Sequence, residues 1–191
     1  IMDCIGKKMC IYYGRGDNTH NLIPSVIFMI EQLLRYNMKI KNKAALIISI
    51  LIPLAVGSLS ALFSGNMMKY SSFEKPSFSP PAVLFPIVWT ILYVLMGISS
   101  YLVYTSEDPG KKNALKLYGV QLFFNFFWSI LFFAFSQYLL AFIWLIALIV
   151  LIVLMIYSFY QISPAAAYLQ IPYLLWCLFA ACLNFAIYRL N

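Results

Sequence analysis

From residue 38 onward the chain alternates long apolar runs with short polar breaks. Five runs stand out, at about 44–63, 82–104, 114–135, 139–160 and 165–189. Each is close to the roughly 20 residues that a helix needs to cross a bilayer. No window alternates with period two over a useful length, which argues against a barrel. The breaks are unequal. Ser64 to Pro81 is long and polar, with two lysines, one glutamate and three prolines. Thr105 to Asn113 carries Glu107-Asp108-Pro109-Gly110, a turn signal followed by lysines. Ser136-Gln137 and Ser163-Pro164 are tight connections. The predicted fold is all-α, an integral membrane bundle of five transmembrane helices.

Residues 1–37 read differently. They hold His20, the Gly14-Arg15-Gly16-Asp17-Asn18 segment and an apolar run from Leu22 to Ile30 that Pro24 interrupts. That run is too short to span, and no small-residue cleavage site follows it. Met38 is followed at once by a Lys-rich flank and a spanning run. The expectation is a non-native or disordered leader at 1–37 and a working protein at 38–191. A mature mass that includes Ile1 to Asn37 would refute this.

Composition agrees with the pattern. The 191 residues are 63% hydrophobic and 10% charged, where a soluble domain has about 45–50% apolar and about 25% charged residues. Mean hydropathy is +0.86. The net charge of +7 changes the picture only locally, because the basic residues cluster beside apolar runs, as membrane proteins mark their cytoplasmic side. With the N-terminus inside, the inner side holds Arg35, Lys39, Lys41, Lys43, Lys111, Lys112 and Lys116, against Lys69, Lys75 and Arg189 outside. Helices this apolar offer no broad basic face, so no nucleic-acid partner is expected. The setting is a bilayer, expected to be a bacterial cell membrane with a cytoplasmic N-terminus.

Candidate chemistry lies in polar and aromatic residues within the spans, which turn inward to find partners. Trp89, Tyr93, Met96 and Ser100 share a face of the second span. Gln121, Asn125 and Trp128 fall at i, i+4 and i+7 in the third. Pro172, Trp176, Ala180 and Asn184 make a similar stripe in the fifth, with Tyr173 beside it. Gly57 and Ala61 have the spacing that lets helix backbones approach closely. Trp144 reads as an interfacial anchor or a lipid-facing residue. Cys177 and Cys182 are five apart on one helix and so point about 140° apart, too far to chelate one metal.

Apart from Lys116 at the start of the third run, no Asp, Glu, Lys or His stands within a span, so an ion-coupled pump has nothing to titrate at the midplane. The spans carry no Ser-His-Asp set, metal cluster or phosphate loop, and no cofactor is expected. What remains is a neutral aromatic cavity with a few hydrogen-bonding groups. It suits a flat, largely apolar ligand.

The stretch from Met38 to Asn191 resembles the TspO/MBR family, the translocator proteins once called peripheral-type benzodiazepine receptors. The resemblance rests on Lys75-Pro76-Ser77-Phe78-Ser79-Pro80-Pro81, on Phe85-Pro86-Ile87-Val88-Trp89-Thr90 with Leu92-Tyr93 and Met96-Gly97, on Gln121-Leu122, Asn125, Trp128-Ser129 and Phe132-Phe133, and on Pro172-Tyr173-Leu174-Leu175-Trp176, Phe179-Ala180 and Leu183-Asn184.

It implies a receptor, transporter or sensor that binds tetrapyrroles such as protoporphyrin IX, and hydrophobic drug-like ligands, in an intramembrane pocket beneath the loop between the first two helices. Trp89, Trp176, Ala180, Tyr93, Asn125 and Trp128 match its lining, Pro80 its capping loop, and Asn184 is expected to orient a polar edge of the ligand. One alternative is a light- and oxygen-dependent porphyrin-degrading enzyme in which Trp89 and Trp176 are the catalytic pair. Another is a structural membrane protein with no ligand. A homodimer is common in the family, but Gly119 is followed four later by Phe123, which breaks the small-residue patch some members use. Phe78 and Val83 stand where the family commonly has Trp. The C-terminal sterol motif is altered at Phe185, so no sterol partner is expected.

Overall fold

The structure, a computed structural model, describes residues 42–65, 74 and 76–191. The expected leader, His20, Arg35, Lys39, Lys41, Lys69 and Lys75 lie outside the described residues. The helices are α1 (Lys43–Phe63), α2 (Leu84–Tyr104), α3 (Lys111–Ser129, continued by a π-helical turn at Ile130–Ala134), α4 (Tyr138–Ile162), the short α5 (Pro164–Tyr168) and α6 (Ile171–Leu190). Among the described residues five segments are long and apolar enough to cross a membrane, the fifth being α5 and α6 together. The five-span prediction therefore holds. α1 packs on α2 and α3, α3 on α4, α4 on α6, and α5 fills the gap between α2 and α4.

The spans bury unequal parts of their surface, from a small part of α1 to about half of α2, whose Ser99–Val103 turn is buried on all sides. On α4 the buried residues are Ala141, Leu145, Leu148, Ile152, Met155 and Phe159, alternating steps of four and three as an antiparallel seam requires. Trp144 on its flank turns to α3, contrary to the lipid-facing or anchor reading: its indole N–H donates to Phe124 O at 2.8 Å and its ring stacks on Phe124. Only Pro53 and Ser60 of α1 are buried, so α1 is the helix least held by the bundle.

What holds α1 is a close crossing at one end. A Cβ on Gly97 would come within 2.5 Å of Ile50 Cα and 2.8 Å of Ser49 O. Pro53 has no N–H to return to Ser49 O, so that carbonyl is free to face its neighbour, and the glycine lets the α2 backbone reach it. Nearby, Asn42 caps α1 through Ala45 N and its own N–H donates to Tyr101 Oη at 3.3 Å. Further along, Gly57 lies directly against the Tyr93 ring, where any Cβ would collide.

Two local departures from regular helix shape the interior. At the end of α3 the Phe135 N–H returns to Ile130 O at 3.1 Å, a five-residue step. This π turn brings both Phe132 and Phe133 into the core, a common use of such bulges near functional surfaces. The fifth span breaks at Leu169-Gln170. Ser163 caps α5 through Ala166 N, and Ser99 Oγ donates to Ala166 O at 2.7 Å, tying the break to α2.

Candidate functional site

A cavity of about 210 Å³ lies where α1 and α2 part, with α3 as its back wall. Trp89 and Tyr93 come from α2, Asn125, Trp128, Ser129 and Phe133 from α3 and its π turn, and Gly57, Ser60, Ala61 and Ser64 from α1. The aromatic side is continuous. Trp89 stacks on Tyr93 with ring centroids 5.3 Å apart, tilts toward Trp128 at 6.4 Å and meets Tyr173 edge-on at 6.2 Å. Trp128 stacks in turn on Phe132 at 5.7 Å.

Behind the aromatic wall runs a hydrogen-bonded line. Tyr93 Oη donates to Asn125 Oδ1 at 2.9 Å, Asn125 Nδ2 donates to Tyr173 Oη at 3.1 Å, and Tyr173 Oη donates to Gln121 Oε1 at 3.0 Å. Asn125 and Gln121 are 3% and 0% exposed. Polar groups buried at membrane depth seek protein partners, and this line joins α2, α3 and α6 through the Asn125 amide, while Gln121 Nε2 has no partner among the described residues. The line fixes the Tyr93 ring that Trp89 stacks on.

On the α1 side the polar groups are hydroxyls. Ser60 Oγ donates to Phe126 O at 2.7 Å and is in close contact with Ser129 Oγ. Ser64 Oγ donates to Ser60 O at 2.6 Å and lies 3.0 Å from Ser129 Oγ. None of these serines was expected at the site from the sequence, where Ser129 figures only in the family resemblance. Serine in a membrane helix ordinarily back-bonds to the carbonyl four residues earlier, as Ser64 does, and only the α1–α3 packing shows that three converge.

Of the residues expected at the site, Trp89, Tyr93, Asn125 and Trp128 share this cavity; Pro80, Trp176, Ala180 and Asn184 are not among its lining. Trp176 belongs to a more open apolar groove between α2 and α6 with Val88, Leu92, Leu95, Pro172 and Phe179. Phe85 stands between the two sites: it lines the cavity and meets Trp176 edge-on at 5.8 Å. With its amide turned so that both ends are matched, Asn184 donates to Tyr138 O at 3.2 Å and accepts from Phe142 N at 2.9 Å, tying α6 to α4. Ala180 is buried. Pro80 sits in the segment before α2, close to Phe78, whose ring meets Phe179 at 6.4 Å.

Fold and cavity together define an integral membrane protein, a five-span helical bundle with an aromatic hollow between its helices. The profile of the TspO/MBR family matches residues 49–189, and the chain belongs to that family. It is 40% identical over 152 residues to "Tryptophan-rich protein TspO" of Archaeoglobus fulgidus, covering 78% of this chain and 99% of that relative. It is 34% identical over 122 residues to "Tryptophan-rich sensory protein" of Cereibacter sphaeroides (64% and 76% covered). Over 146 residues it is 34% identical to "Translocator protein" of Sus scrofa (74% and 86% covered).

Proposed function

We propose that the cavity between α1, α2 and α3 binds a planar, largely apolar ligand of the tetrapyrrole class, and that the protein serves transport or sensing of that ligand. The observation that carries this reading is the joint placement of Trp89, Tyr93 and Trp128 on one hollow. Aromatic faces favour a flat guest, and a few fixed polar groups orient it. At about 210 Å³ the hollow is smaller than the ~300–1,000 Å³ usual for drug-sized ligands. A macrocycle therefore seats by one edge, with the remainder between α1 and α2. The relatives named translocator protein and tryptophan-rich sensory protein support the same pair of roles.

Lys43, Lys111, Lys112 and Lys116 gather where α1 and α3 begin, and Arg189 ends α6. This asymmetry favours a cytoplasmic start of α1. The degradative alternative needs Trp89 and Trp176 on one guest. Their separation by Phe85 favours binding over that chemistry.

The test is a titration of protoporphyrin IX into protein in lipid nanodiscs, followed by tryptophan fluorescence. Saturable quenching that weakens in a Trp89→Leu/Trp128→Leu double variant is expected. A linear, lipid-like response in the wild type would sink the proposal.

A further inference from the structure

Lys112 and Lys116 stand four residues apart on α3, and both are exposed. That spacing keeps them on one helix face, about 6 Å apart along the axis. Lys116 lies inside a segment long and apolar enough to cross a membrane, where a charge is expensive unless it finds a partner or reaches the interface. Side chains on a helix tilt toward its N-terminus, so the Lys116 stem runs back toward Lys112 and the two ammonium groups converge. Among the described residues no hydrogen bond or ion pair holds either of them. The neighbouring charges are already engaged. Asp108 Oδ1 accepts from Gly110 N at 2.7 Å, Lys111 Nζ folds back to donate to Ser106 O at 2.6 Å, and Glu107 has a partner of its own. The start of α3 has no side-chain cap, and its positive end adds to the two lysines. Toward the membrane centre the same face is apolar. A Cβ on Gly119 would meet nothing within 4 Å, and Val120 and Phe123 beyond it are 45% and 54% exposed.

We propose that this face of α3 binds an anionic phospholipid of the leaflet at which α1 and α3 begin. Its phosphate is held between the Lys112 and Lys116 ammonium groups, and an acyl chain lies along Gly119 toward Phe123. The site is independent of the cavity. The argument for this occupant is charge complementarity at a fixed depth: Lys116 sits where a headgroup supplies the counter-charge that the protein does not. A zwitterionic headgroup carries its own cation beside the phosphate and is held less well. A second copy of the chain is the poorer occupant. A two-fold axis along the membrane normal through this face would set each lysine against its own counterpart at the same depth.

The test is a titration of the full chain, in detergent micelles, with dioleoylphosphatidylglycerol or dioleoylphosphatidylcholine, bound lipid being counted by native mass spectrometry. The wild type is expected to hold its first phosphatidylglycerol at least about fivefold more tightly than phosphatidylcholine, the worth of one lysine beside an anionic headgroup. Lys112→Gln/Lys116→Gln removes the preference, and Lys112→Arg/Lys116→Arg keeps it. Should the glutamine double variant fail to fold, Lys116→Gln alone must lower the preference. Lys43→Gln removes the same charge from the start of α1 and should leave the preference within about twofold, as a separate site does. Equal retention of the two lipids by the wild type leaves only a solvated face and overturns the site. A preference that Lys43→Gln lowers as much as Lys116→Gln reports bulk charge and overturns it as well. A lipid-free dimer that Phe123→Ala dissolves gives the face to a second copy, with the same result for the proposal.

Discussion

The Tyr93 hydroxyl donates to Asn125 Oδ1 across 2.9 Å, and the same amide donates onward to Tyr173. One side chain thus couples the cavity wall to three helices. Asn125→Leu is expected to lower stability by about 1–2 kcal/mol, at the upper end for interhelical hydrogen bonds in membranes. A double-mutant cycle with Tyr93→Phe should show coupling of roughly 0.6–1.7 kcal/mol. Additive effects would mean that the two residues do not share the bond.

Trp89 and Trp176 should separate in binding. Trp89→Leu removes a ring that stacks on Tyr93 and faces the cavity, and is expected to weaken an aromatic guest about three- to tenfold. Trp176→Leu changes the α2–α6 groove and reaches the cavity through the Phe85 ring, so it should leave cavity affinity within about twofold, the small coupling expected of an indirect neighbour. Equal losses in the two variants would place the guest across both sites.

At Gly97 a side chain has nowhere to go, because the nearest atoms belong to the α1 backbone. Gly97→Val should cost about 1–3 kcal/mol or more, as overpacking does, read as a drop in thermal midpoint in detergent. The three atoms nearest a Cβ on Gly57 all belong to the Tyr93 ring, so Gly57→Val should push that ring into the cavity: ligand affinity falls far more than stability does.

Affinity for an uncharged probe should not depend on pH between about 6 and 8, the range in which histidine titrates, because among the described residues no Asp, Glu, Lys, Arg or His lines the cavity. A calorimetric series across that range checks it, and a sigmoidal change would reveal a titrating group in contact with the guest.

Gln170 is 0% exposed, and among the described residues neither end of its amide has a partner. Gln170→Met keeps the length and removes two unsatisfied groups, so it should leave the thermal midpoint unchanged or raise it. A clear drop would mean that the amide is satisfied by buried water.

The five spans are legible in the sequence because lipid imposes a length and a composition on each. The cavity's Trp89–Tyr93 and Asn125–Trp128 pairs are legible for a related reason: steps of three and four keep a residue on one helix face. The stripe read on the last helix shows where this fails. Pro172, Trp176, Ala180 and Asn184 advance by fours, and each step drifts by about 40°, so the line winds around the helix. The face that is buried runs through Tyr173, Cys177, Ala180, Asn184 and Ile187, with mixed steps, and leaves Trp176 on the flank. The π turn at Ile130–Ala134 and the break at Leu169-Gln170 follow from hydrogen-bond choices that no residue pattern announces, and Phe133 reaches the cavity only through the first of them.

Gly97 against Ile50 works as a fulcrum. On one side of it α1 and α2 touch backbone to backbone; on the other they separate around the cavity. α1 is also the helix with the least protein around it, so its inclination answers to the thickness of the surrounding hydrocarbon. The width of the hollow is then partly a property of the lipid, and the same chain reconstituted in short- and long-chain phosphatidylcholine should hold the same guest with different strength.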